Sequence, residues 1–292
     1  MPHRLGEPCG GRICLKNSKK PTGKAPASSD TRRLVVISDL HAGSIYAPCP
    51  ANFERHDGNV VTLNRNGQFA TKAFKTFTST VLDLPAYDLL LNGDLVEGMH
   101  HRSTEVWSMD PGDHVRAAMM LLDPIVEKAR QVWVTRGTEC HTQGSEESLG
   151  MYFGAKRDPD TGRCAPDLWR FDYCGLHIHA VHHMPTTSRK ALEGSQLSIQ
   201  LNEHQSQSAR ADIERPRLVI ASHRHTPGLY TDFESMMIAT PAWQTADGRH
   251  VKKVVPASKT RVGGMVLDWS QRIDGDLPFF DPGKYIYAPE KE

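Results

Sequence analysis

At 292 residues the chain is long enough to bury a sizeable core, as one large domain or two modest ones, and we read one. Its 35 Lys+Arg against 34 Asp+Glu give no global basic field, so any contact with nucleic acid must come from a local patch or an active site. Six cysteines without a C-x-x-C spacing fit a reduced compartment, and no apolar stretch approaches the roughly 18 residues of a membrane span, so a cytoplasmic protein with no membrane partner is expected.

Residues 1–32, rich in Lys, Pro, Gly and Ser, read as a disordered basic tail, because they lack the apolar surface needed to offset ordering. From Leu34 onward short β-branched runs alternate with helical patterns: LVVIS, FATKAFKTFTSTVLDL, YDLLLN, HVRAAMMLLDPIVEKAR and QVWVTRG. That alternation predicts an α/β domain over 33–280. In the helix around 114–130, Val115, Met119, Leu122, Val126 and Ala129 recur at helical spacing, which makes Met119 and Met120 core, and Pro124 is expected to kink or split it. The second half adds LWRFDY, LHIHAVHH, a polar helix over 188–210, then RLVIASHRH, SMMIATPA and VGGMVLDW, and residues 281–292 read as a packed or trailing C-terminal tail.

Each apolar strand candidate is followed at once by groups able to hold a metal. LVVIS runs into Asp39 and His41, LLLN into Asp94, VWVTRG into Glu139 and His141, IHAV into His182 and His183, and VIAS into His223 and His225. Singly, an Asp can cap a helix or stabilise a turn, and a histidine can be a satisfied core residue. Strand ends in open α/β sheets face a common crevice, however, and polar groups gathered there are costly unless something pairs them. A metal centre does that pairing.

These blocks resemble the calcineurin-like metallophosphoesterase family, whose pattern is D-x-H, G-D, G-N-H, a histidine after a strand, and G-H-x-H. Here they are Asp39-Leu40-His41, Gly93-Asp94, an altered Gly137-Thr138-Glu139-Cys140-His141, His182 or His183, and Ser222-His223-Arg224-His225, spanning about residues 34–240. The stretches NGDLVEGMHH, RGTECH and EESLG look like a branch of such enzymes encoded by bacteriophages and their bacterial hosts. The resemblance implies a four-layer αββα sandwich with two central mixed β-sheets and two divalent metal ions, Mn first, with Fe, Zn, Ni or Co also suited to oxygen and nitrogen ligands. By correspondence Asp39, His41 and His225 hold one ion, Asp94 bridges, and His182 with His223 holds the other.

The third block departs from the family, since Thr138 and Glu139 stand where asparagine and the catalytic histidine are usual. Glu139 can supply a ligand oxygen in place of the asparagine, and His141 can serve as general acid or lie near the second ion. The implied activity is metal-assisted hydrolysis of a phosphate ester, a phosphodiesterase or nuclease before a small-molecule phosphomonoesterase, with a nucleic acid or nucleotide substrate and Asp94 and His141 in the chemistry. His100, His101, Arg136 and Arg224 are the substrate-binding candidates, the arginines as bidentate phosphate donors. The competing reading is a binding protein on a degenerate fold of this kind. A metallo-β-lactamase-like enzyme is opposed by the lack of an H-x-H-x-D-H block.

Overall fold

In the strand β1 (Arg33–Ile37), Leu34 and Val36 join one apolar cluster while Val35 and Ile37 join another, as the two-residue period of a strand requires. β2 (Asp88–Asn92) divides in the same way, with Leu90 on one side and Leu89 and Leu91 on the other. Strands buried on both faces need a cover on each, which is why LVVI and LLL are unbroken apolar runs. The structure is a computed structural model that describes residues 33–99, 104–142, 144–185, 193–232, 234–245, 261–271 and 277–289. The basic tail read over 1–32 lies outside them.

β3 (Val132–Thr135) pairs parallel with β2, β2 pairs parallel with β1, and β10 (Met265–Asp268) closes the other edge antiparallel to β1, giving a first sheet of order β10-β1-β2-β3. The second sheet comprises β4 (Leu168–Tyr173), β5 (Leu176–Val181), β6 (Leu218–Ala221), β7 (Gly228–Thr231) and β8 (Met236–Ala239) in the order β4-β5-β6-β8-β7. Its inner three strands are parallel and its two edges antiparallel. β9 (Val262–Gly263) pairs with β11 (Ile286–Tyr287).

Leu34, Val36 and Leu90 of the first sheet share one cluster with Ile178, Leu218, Ile220 and Ile238 of the second, so the two sheets pack face to face. The outer face of the first sheet is covered by α1 (Arg65–Leu82), α2 (Pro111–Lys128) and α4 (Ser145–Tyr152), through Phe74, Phe77, Leu122, Ile125 and Leu149. The outer face of the second is covered by α5 (Glu193–Arg210), whose Leu197 and Leu201 pack on Val219, Ala221, Met237 and Ala239. The result is the four-layer αββα sandwich with two mixed sheets. α1 begins at Asn64, whose side chain accepts the Gly67 N–H at 2.9 Å, and α2 begins at Asp110 with Pro111 in its first turn.

One expectation is narrowed, one corrected, and one strand added. Pro124 does not split α2, which runs unbroken from Pro111 to Lys128. Both Pro124 and Met120, whose carbonyl the missing N–H leaves unbonded, lie on the exposed side, where water can serve. Met120 is 49% exposed and not core, because Ala117, Ala118, Leu122 and Ile125 form the buried stripe while Met119 packs at its margin. β7 was not anticipated, since GLYT on an edge with one face exposed carries little apolar signal. At the C-terminal end, α6 (Pro282–Tyr285) and β11 are packed, with Tyr285 in the same core as Phe77.

Candidate metal centre

The loops that leave β1, β2, β5 and β6 are knitted together by backbone bonds beyond the strands themselves. Asp39 N–H donates to Gly93 O and His41 N–H to Asp94 O, both at 3.0 Å, and Ser222 N–H donates to His182 O at 3.0 Å. Asn92 Nδ2 reaches across the sheets to Val181 O (2.9 Å) and Ser222 Oγ (2.6 Å), and the Thr240 hydroxyl donates to the same Ser222 Oγ (2.8 Å). This buried polar belt holds the two rows of strand ends in fixed register.

Of the eight described non-glycine residues with positive φ, five are Asp39, His41, Asp94, His223 and His225, at φ 48°, 48°, 48°, 72° and 54°. Left-handed backbone costs about 1–3 kcal/mol at a residue with a Cβ and persists where the surroundings enforce it. The strain is thus concentrated at the residues read as ligands. Gly93, at φ 79°, is required by crowding as well, since a Cβ there would meet His182 Nδ1 at 2.5 Å and the Gly137 Cα at 2.8 Å.

Two triads of ligand atoms result, each with its members within 4.8 Å of one another: Asp39, His41 and His225, and Asp94, His182 and His223. In the first, His225 Nε2 lies 3.3 Å from Asp39 Oδ1 and 3.2 Å from His41 Nε2. In the second, His182 Nε2 lies 3.0 Å from Asp94 Oδ2. The triads touch, because Asp39 accepts the His223 N–H at 3.2 Å. His182 Nδ1 is taken up by Asn92 O at 2.8 Å and His41 Nδ1 by Glu97 Oε2 at 2.8 Å, so each ring turns its Nε2 into the cluster.

Thr138 occupies the middle of the second triad. Its N–H donates to Asp94 Oδ1 (2.6 Å) and its hydroxyl to Asp94 Oδ2 (3.1 Å), with His223 Nδ1 and His182 Nε2 at 3.1 and 3.3 Å from the Thr138 hydroxyl oxygen. Glu139, expected to supply that oxygen, does not come to the cluster: its side chain is 89% exposed and lies 3.7 Å from Arg136. It opens the short helix α3 (Glu139–Thr142), which turns it outward and carries His141 back in. His141 lies against His41, rings 4.8 Å apart and edge to face, with its Nδ1 donating to Glu97 O at 2.8 Å. It therefore sits on the side of the first triad rather than the second.

His182 is buried and His183 exposed, its ring 4.6 Å from that of His223, so of the two histidines His182 is the one the fold turns inward. Arg224 is 6% exposed between His223 and His225, and Arg136 is half-buried two residues before Thr138. His100 and His101 lie outside the described residues. Glu97 was missed, although it stands three residues after Asp94. It is buried, receives Gln244 Nε2 at 3.1 Å as well as His41, and through its carbonyl also places His141. Asn92, Ser222 and Thr138 were likewise not singled out as site residues, and their polarity at strand ends was the available signal.

The electrostatics are those of a site built for positive charge. Burial opposes ionisation of Asp94, yet the charge and hydrogen bond of His182 hold its carboxyl well below the usual range, and Asp39 is lowered against its own burial by His225 and His182. Burial, reinforced by His182, pushes His223 down to about 4, and burial lowers His41 in spite of Glu97. His141 is raised to about 10: its burial is outweighed by a hydrogen bond with Cys140 and the charges of Asp94 and Glu97. His225 Nδ1 is buried without a partner among the described residues. Two buried carboxylates facing imidazoles, with His41 and His223 kept neutral and His182, against its burial, raised to about 9 by the carboxylates of Asp94 and Asp39, are a donor set that divalent cations fit, since a cation takes the place of the proton on a ligating imidazole.

No protein-family model matches the sequence, and no curated protein matches it. Among solved structures, the chain is similar to an archaeal phosphodiesterase at 9% identity, covering 85% of this chain and 99% of that one with a TM-score of 0.43. It is also similar to zinc-complexed Vps29 of Entamoeba histolytica (11% identity, 81% and 85% covered, TM-score 0.38). A third similarity is to a predicted phosphoesterase of Streptococcus pneumoniae (12% identity, 81% and 82% covered, TM-score 0.34).

Proposed function

We propose that this protein is a metal-dependent phosphoesterase that hydrolyses phosphodiesters, with nucleic acid or nucleotides as its substrate class. The observation that carries the reading is the pair of adjoining triads, with their carboxylates from the first sheet and most of their imidazoles from the second, held on strained backbone. A binding scaffold has no use for strain concentrated at five converging donors, whereas a catalytic site does. Asp39, His41 and His225 would hold one ion and Asp94, His182 and His223 the other, with the Thr138 hydroxyl beside the second. Divalent ions there, Mn by preference, would neutralise phosphoryl oxygens and bring the pKa of a water towards about 7.

The remaining work falls to the chain. Glu97 fixes the His41 ring and, through its carbonyl, aims His141. His141, held by the Glu97 carbonyl beside His41, would be the proton donor to the leaving alkoxide. Asn92 and Ser222 keep the two rows of loops from separating.

The test joins metal analysis to a hydrolysis panel of aryl phosphomonoester, aryl phosphodiester, cyclic nucleotides, DNA and RNA. Diester cleavage that is lost on chelation, restored by Mn and nearly abolished in Asp94→Asn is expected. Full activity in metal-free protein overturns the proposal.

A further inference from the structure

Beside the metal centre a cavity of about 350 Å³ is lined by Arg136, Gly144, Glu146, Glu147, Arg163 and Ala165. Two of its lining residues are tied to the surroundings of Asp94. Arg136 precedes by two residues the Thr138 that bonds both Asp94 oxygens, and Glu146 Oε1 accepts the N–H of Leu95, the residue after Asp94, at 3.3 Å.

The two acids of the wall are committed to the protein. Glu147 accepts the N–H groups of Cys164 and Ala165 at 3.0 and 2.9 Å, and Glu146 is 1% exposed and turned to Leu95. The two guanidiniums are not committed in this way. The carboxylates near Arg136, those of Glu139 and Asp167, stand off at 3.7 and 3.8 Å, longer than a hydrogen bond, and are 89% and 76% exposed. Arg163 is exposed and has no ion-pair partner among the described residues. Unspent planar donors facing one cavity suit phosphate, which guanidinium binds in a bidentate manner.

We propose that this cavity is a subsite for a second phosphate linked to the scissile one, so that the substrate is a chain of phosphates or phosphodiesters rather than an isolated ester. The proposal rests on the phosphoesterase reading for the position of the scissile group. Arg136 and Arg163 hold the neighbouring phosphate, and the glutamates, fixed by backbone N–H groups, shape the wall beside them.

The experiment measures binding of a fluorescein-labelled thymidine hexanucleotide by anisotropy across a salt series. In the same preparations kcat/KM is measured for an unlabelled hexanucleotide and for bis(4-nitrophenyl) phosphate. Arg136→Gln and Arg163→Gln should each weaken binding about five- to tenfold, reduce the log–log salt slope by about one, and lower the ratio of oligonucleotide to small-diester kcat/KM. Arg210→Gln, the same charge change at the end of α5 on the opposite outer layer, should leave binding unaltered.

Equal weakening by all three variants means diffuse attraction and overturns the subsite, as does wild-type protein that does not bind the hexanucleotide. Competition by a nucleoside triphosphate that exceeds that of the oligonucleotide and depends on the same arginines supports the subsite and assigns it to polyphosphates. Arginine-dependent binding without hydrolysis of any ester supports the subsite while the phosphoesterase reading fails. Hydrolysis of the small diester with no arginine effect on the oligonucleotide does the reverse.

Discussion

At the scale of the residue, the altered third block separates into three jobs that neighbouring positions perform. Thr138 brings an N–H and a hydroxyl to Asp94, Glu139 is turned into solvent, and His141 returns to meet His41 and the Glu97 carbonyl. His141→Asn is therefore expected to keep bound metal and to lose about 10²–10⁴-fold in rate on substrates whose leaving group needs a proton. Nitrophenyl esters, whose leaving group does not, should suffer much less. Glu139→Ala should change metal content and rate by no more than about twofold, as exposed substitutions commonly do. Metal analysis with both substrate types checks this, and loss of metal in Glu139→Ala would return that side chain to the ligand set.

At the scale of the element, helix α1 reaches the site through the ring of Trp243. Phe74 and Phe77 of α1 pack edge to face on the buried Trp243, at 4.8 and 5.2 Å between ring centroids, and the backbone N–H of Trp243 donates to Asp39 O at 2.9 Å. Gly264 permits this fit, because a Cβ there would meet the Phe77 ring at 2.5 Å. Truncating Phe77 removes a ring that is 0% exposed and leaves a cavity at the junction of α1, Trp243 and Tyr285. Phe77→Ala should lower unfolding free energy by about 3–5 kcal/mol, read from urea denaturation. A loss under 1 kcal/mol would show that α1 is not fastened there.

At the scale of the whole molecule, each outer layer has its own fastening, and that of α5 responds to acid. His179 of β5 and His204 of α5 meet Nδ1 to Nδ1 at 3.2 Å, and His179 is 2% exposed. Burial, then His204, His177 and Arg170, holds His179 down to about 3; burial also lowers His204 despite the charge of Glu203. An unfolded imidazole takes its proton near pH 6.5. Between pH 6.5 and about 3 the unfolded chain thus binds more protons than the folded one, and stability falls as the pH drops through that window. Urea midpoints of metal-free protein should decline from pH 7 to pH 5, and His179→Gln should flatten the decline relative to the wild type. Parallel declines would remove the pair from the acid response.

The sequence by itself determined the strands and the residues at their ends. Apolar runs such as LVVI and LLLN are legible because a strand buried on both faces admits little else, and Asp39, His41, Asp94, His182, His223 and His225 follow them directly. The tertiary structure alone decided what depends on direction. A one-residue difference between Thr138 and Glu139 is the difference between facing Asp94 and facing water, and only the turn into α3 sets it. The same holds for Glu97, whose role comes from the approach of a histidine 56 positions earlier in the chain. It holds too for Met120, which is exposed because Ala117, Ala118, Leu122 and Ile125 form the face of α2 that packs inward. Local sequence limits which groups can reach a strand end, whereas the packing of the two sheets against each other fixes which of them meet.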